Sequence, residues 1–110
     1  MQPKIYISRM DVVEEYRSDF FAWCKNRHWP DLVGAGFFSA NGYESVTGGP
    51  FVCNIYEIEG IDVFYNKYES VRSDDEQLKV IVEKKISNHS LTVYDQVVSF
   101  AAGGEIAQQI

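Results

Sequence analysis

The spacing of apolar residues switches between two periods along the chain, and the order of those switches constrains the fold more than any single motif. Lys4 to Met10 alternates, with Ile5 and Ile7 on one side and Tyr6, Ser8 and Met10 on the other, the period-2 pattern of a strand packed on one face. Ile5 and Ile7 make better core residues than Tyr6 and Ser8, which assigns Tyr6 and Ser8 by elimination to a cavity face away from the helices. Asp11 followed three residues later by Glu14 reads as a capping box. Val13, Tyr16, Phe20, Trp23 and Cys24 then recur at helical spacing, predicting a helix from about Val12 to Arg27. Pro30 disfavours helical dihedrals at Trp29, which sets the end of that helix close to His28.

Phe37 to Val46 reads as a second strand, with a bulge expected at Asn41-Gly42, where a tight turn is the alternative. Thr47-Gly48-Gly49-Pro50 supplies a hairpin loop, and Phe51 to Glu59 is a third strand. Ile61, Phe64, Tyr65 and Tyr68 fall on one helical face. Ser73 and Glu76 form a capping box for a further helical piece that carries Leu78, Ile81 and Val82 inward and ends near Ile86. β-branched and aromatic residues return from about Leu91 to Phe100 as a last strand. The order is the split βαβ, ferredoxin-like βαββαβ plan: a four-stranded antiparallel sheet with helices on one face, in an α+β domain of residues 1–102 followed by a tail at 103–110. The other sheet face needs a cover, and a second copy of the chain supplies it, which predicts a homodimer.

Composition narrows the function classes. At 110 residues one domain is expected. With 45% hydrophobic and 15% aromatic residues the chain has the apolar surface to fold. No apolar stretch approaches the ~20 residues of a membrane span, and the start lacks the apolar core of a signal peptide, so a cytoplasmic protein without a membrane partner is expected. The net charge of −6 repels a phosphate backbone and argues against nucleic acid as a partner. Cys24 and Cys53 have neither disulfide-framework nor zinc-ribbon spacing, the two histidines lack neighbouring ligands for a metal, and Gly34-Ala35-Gly36 lacks the third glycine of a dinucleotide cradle. No cofactor is expected.

Trp23 and His28 near the end of the first helix, Pro30-Asp31-Leu32 after it, Gly36-Phe37 entering a strand and Asn54-Ile55-Tyr56-Glu57-Ile58 in the third strand together resemble the dimeric α+β barrel superfamily, and within it EthD-like small barrels. The resemblance spans roughly residues 4 to 100. Where Pro-Gly-Phe would be typical, this chain has Gly34-Ala35-Gly36-Phe37. Such barrels include cofactor-free cyclases, lactone isomerases, lyases, monooxygenases and haem-degrading proteins, so the reaction has to be argued from residues.

His28 at a helix end is a candidate proton shuttle or a cap on a terminal carbonyl, and the resemblance favours the former, because such barrels often place a histidine from this helix end at the cavity. Strand tyrosines can hydrogen-bond a substrate oxygen, or pack at the edge of the core. The expected catalytic set is His28 for proton transfer with Tyr43 and Tyr94 at a substrate oxygen. Tyr6, Asn54, Tyr56 and His89 are expected to line the substrate pocket, although His89 equally suits an exposed turn. The function expected is a cofactor-independent lyase, isomerase or cyclase acting on an apolar or aromatic small molecule. The alternatives are a cofactor-free monooxygenase and a small-ligand-binding dimer without turnover. A haem protein ranks below these.

Overall fold

The computed structural model describes residues 3–63 and 84–102. The first strand, β1 (Lys4–Val12), runs through Asp11 and Val12 instead of yielding to a helix there. A short 3-10 turn at Glu14–Tyr16 leads into α1 (Arg17–Trp23), a π turn at Cys24–His28, and α2 (Trp29–Gly34). The helical segment therefore passes His28 and Pro30, contrary to the expected end at His28. A proline inside a regular helix removes one hydrogen bond and clashes with the carbonyl four residues earlier. Here the wider turn closes with the Trp29 N–H donating to the Cys24 carbonyl, five residues back, and Pro30 falls in the first turn of α2.

The Asp11 capping box does not form, because Asp11 lies in the sheet and Val13 occupies the N-cap position without a side-chain hydrogen bond. The Asp11 carboxylate instead accepts from Asn88 Nδ2 at 2.6 Å and from the Phe51 backbone N–H at 3.0 Å, tying β1 to both neighbouring chain segments. These two hydrogen bonds, Asn88 first, hold its carboxyl below the usual value.

Strands β2 (Phe37–Glu44) and β3 (Val52–Ile58) form the expected hairpin. Their register shifts between Phe37 and Ser39, whereas Asn41 and Gly42 pair directly with Ile55 and Asn54, so neither a bulge nor a turn occurs at Asn41-Gly42. Strand β4 (Ile86–Tyr94) starts five residues ahead of the expected Leu91 and stops at Tyr94. Beyond it Val97, Val98 and Phe100 are 92%, 83% and 86% exposed, which places the second half of the predicted last strand outside the sheet. Ile61 and Asp62 open a helix. The rest of that reading, the Ser73 capping box and the tail from Gly103 lie outside the described residues.

All three strand pairings are antiparallel, and the sheet order is β2-β3-β1-β4. This is the ferredoxin-like α+β fold, with the helical segment on one face. That face carries two apolar clusters. Met10, Val12 and Val52 pack with Phe20, Trp23 and Cys24, while Tyr6, Tyr56, Phe37 and Ile58 pack with Leu32. Each such large side chain contributes on the order of 1.5–3 kcal/mol by burial. Tyr6, Ser8, Met10 and Val12 thus point toward the helical segment, and Ile5 and Ile7 lie on the open face, the reverse of the expected assignment. Among the described residues no helix is long and apolar enough to cross a membrane.

Candidate active site

Direct cross-strand pairing places side chains on a common face. On the helix side this gives one row of Ala40, Tyr56, Tyr6 and Val93, and beside it a row of Gly42, Asn54, Ser8 and Leu91. The first row is held by aromatic contacts. Tyr6 and Tyr56 stack with ring centroids 4.9 Å apart, and Phe37 meets Tyr56 edge-on at 5.6 Å. Trp29 Nε1 donates to Tyr56 Oη at 3.2 Å, which fixes the hydroxyl in place.

Asn54 is 1% exposed at the centre of the sheet, and its Oδ1 has no hydrogen-bond partner among the described residues. An orphan acceptor at such depth costs about 1–3 kcal/mol unless a ligand or water satisfies it. Opposite it, Gly42 is required by close approach. A Cβ there would stand 2.7 Å from Phe21 Cε1, 2.9 Å from Trp29 Cη2 and 3.0 Å from Asn54 Oδ1.

The helical segment brings Cys24, His28 and Trp29 to this side. Burial pushes the Cys24 thiol up to about 12, and a hydrogen bond with Asn54 only partly opposes that. At pH 8 the thiolate fraction is then on the order of one in ten thousand. Iodoacetamide at that pH is expected to leave Cys24 unmodified in the native protein and to alkylate it after urea unfolding, as read by peptide mass spectrometry. Rapid native modification would contradict the burial. His28 is 5% exposed, inside the π turn between Cys24 and Trp29, with its ring stacked on Trp23 at 4.6 Å and 10°. It precedes the end of α2 by six residues, so the capping role at a helix terminus does not arise.

His28, Tyr6, Asn54 and Tyr56 therefore share the helix side. His89 joins them at the sheet margin, with its Nε2 3.0 Å from Ser8 Oγ. Tyr43 and Tyr94 do not. They pair with Cys53 and Ile5 on the open face and are 52% and 42% exposed, so one chain does not bring them to His28. A hydrogen bond with Arg9, and a second with Thr92, hold the Tyr94 hydroxyl below the ordinary tyrosine value. Tyr94 also lines a cleft of about 230 Å³ with Lys4, Ile61, Val93 and Asp95. Ser8, expected with Tyr6 on a cavity face away from the helices, lies with Tyr6 on the helix side.

No protein-family model matches the chain, and no curated protein matches it significantly. Solved structures do. One from Shewanella loihica, provisionally assigned as a monooxygenase, superposes with a TM-score of 0.68 at 13% identity over 89% of this chain and 97% of that one. A dimeric ferredoxin-like protein from an uncultured marine organism gives 0.68 at 13% identity, covering 93% and 94%. The haem-degrading MhuD of Mycobacterium tuberculosis, with two haems in its active site, gives 0.61 at 13% identity, covering 90% and 100%. At this identity the likeness establishes the ferredoxin-like fold, and it does not single out the EthD-like branch.

Proposed function

We propose that the chain is a cofactor-independent monooxygenase acting on an apolar, electron-rich aromatic small molecule held between the helical segment and the sheet. The observation that carries this reading is the buried polar pair set among aromatic rings. Asn54 Oδ1 has no hydrogen-bond partner among the described residues, and the Tyr56 hydroxyl in the neighbouring row is positioned by Trp29. His28 takes a proton from an activated C–H, Tyr56 and Tyr6 stabilise the oxyanion so formed, and Asn54 orients the ring system. The carbanion then reacts with dioxygen, one oxygen atom entering the product as a ketone and the other leaving as water.

The reading is supported by the monooxygenase description of a structural neighbour. An EthD-like lyase, isomerase or cyclase would use the same proton transfer without dioxygen. Anthrone, an apolar tricyclic carbon acid, distinguishes these reactions. The expected result is one dioxygen consumed per anthraquinone formed, above the buffer rate. Turnover without oxygen uptake points to the lyase class, and anthrone recovered unchanged points to a binding protein.

The functional unit in this reading is a homodimer. Ile5, Ile7 and Ile55 form an apolar strip across β1 and β3 on the open face, flanked by Tyr43 and Tyr94, and a second copy of the same face covers it. Light scattering in dilute solution is expected to give the mass of two chains. The mass of one chain would remove the dimer from the proposal.

A further inference from the structure

The pairing of β1 with β4 contains one irregularity. Arg9 faces Ser90, but Asp11 already faces Ser87, so Asn88 and His89 together stand opposite Met10. Asn88 adopts a φ of 52°, in the left-handed region, and its amide is anchored on Asp11 Oδ2. The extra residue is Asn88, whereas His89 keeps the parity of Leu91 and Val93 and so lies on the helix side, its Nε2 3.0 Å from Ser8 Oγ. Ser8 is only 3% exposed and sits directly beside Asn54 in the polar row, whereas His89 is exposed. One hydrogen bond thus links solvent to the buried centre of the sheet.

We propose that Ser8 is a further catalytic residue and that His89 acts through it, forming a proton relay from solvent to the substrate oxygen. The inference rests on the reading of this face as the site of carbon-acid chemistry. As His28 removes the C–H proton, the Ser8 hydroxyl hydrogen passes to the developing oxyanion. Ser8 Oγ regains a hydrogen from Nε2 of protonated His89, and the exposed imidazole is reprotonated from solvent. The step leaves the neutral enol and a protonated His28, and the carbanion that meets dioxygen is the ionised form of that enol. Ser8 touches the substrate; His89 sets and replenishes its proton.

Deuterium uptake at the methylene carbon of anthrone, measured in D₂O under nitrogen, reads this step without oxygen chemistry. Wild type is expected to exchange faster than buffer. Ser8→Ala and His89→Gln are each expected to lower that rate by about tenfold or more, and added imidazole is expected to restore exchange to His89→Gly but not to Ser8→Ala. A purely structural hydrogen bond predicts lower melting temperatures with unchanged exchange, and that result overturns the relay. Absence of exchange in wild type overturns it together with the carbon-acid reading. Exchange that depends on Ser8 and His89, with no oxygen uptake in air, upholds the relay and sinks only the monooxygenase assignment.

Discussion

Replacing His28 with phenylalanine is expected to lower anthrone turnover by about two to four orders of magnitude, the usual share of a general acid-base group, while leaving the protein folded. Phenylalanine keeps a flat ring on Trp23, where the imidazole now stacks at 4.6 Å, and so separates proton transfer from packing. Alanine at the same position would confuse the two, because truncating a buried ring leaves a cavity that costs on the order of 3–5 kcal/mol for the larger aromatics. A capping role has no place in the comparison, since α2 carries the helix six residues beyond His28. The measurements are the initial rate of oxygen uptake and the melting temperature on one preparation. Turnover within twofold of wild type in a stably folded His28→Phe protein would reduce His28 to a packing residue and leave the Ser8 and His89 pair as the source of proton transfer.

The order of elements was legible because strand and helix periods differ, and three pairing registers agree with the ferredoxin-like plan drawn from them. The side of β1 was misread because apolarity alone does not separate two faces that are both partly apolar. Ile5 and Ile7 outrank Tyr6 and Ser8 as hydrophobes, yet following the strand two residues further puts Arg9 and Asp11 on the isoleucine side and Met10 and Val12 on the tyrosine side. Deep burial follows the second set. Ending β1 at Met10, on the strength of an Asp-Glu pair that resembles a capping box, concealed that signal. The π turn was not legible either. Pro30 correctly announces a disturbance in the helix, but whether the chain stops or widens its turn depends on the packing of Trp29 and Leu32 against the sheet, a tertiary term.

The expected site residues divide between the two faces of the sheet. Tyr6, Asn54, Tyr56 and His28 converge on the helix side, whereas Tyr43 and Tyr94 were grouped with them on chemistry alone and fall on the opposite face. Tyrosine chemistry is the same on either side of a sheet. Only parity and register decide which phenol can reach a given imidazole.

Gly42→Leu is expected to have the largest effect on binding and stability together. The position has no positive φ, so backbone strain is not the objection. The objection is volume. The first side-chain carbon alone would stand under 3 Å from the rings of Phe21 and Trp29, and 3.0 Å from Asn54 Oδ1. Overpacking of this kind costs about 1–3 kcal/mol, which in a domain of this size lowers the melting temperature by about 4–8 °C for each kcal/mol. Rotating Trp29 away to make room would also break its hydrogen bond to Tyr56, so anthrone binding should be lost even where the variant folds. Gly34→Ala supplies the contrast. Gly34 lies in α2 with nothing within 4 Å of its would-be Cβ, and alanine there is expected to raise stability by roughly 0.5–1 kcal/mol without touching binding. Calorimetry on both variants and fluorescence titration with anthrone under nitrogen read the two quantities. If Gly42→Leu binds anthrone as wild type does, the ligand does not sit against Gly42, Asn54, Phe21 and Trp29, and the site must be sought elsewhere on the sheet.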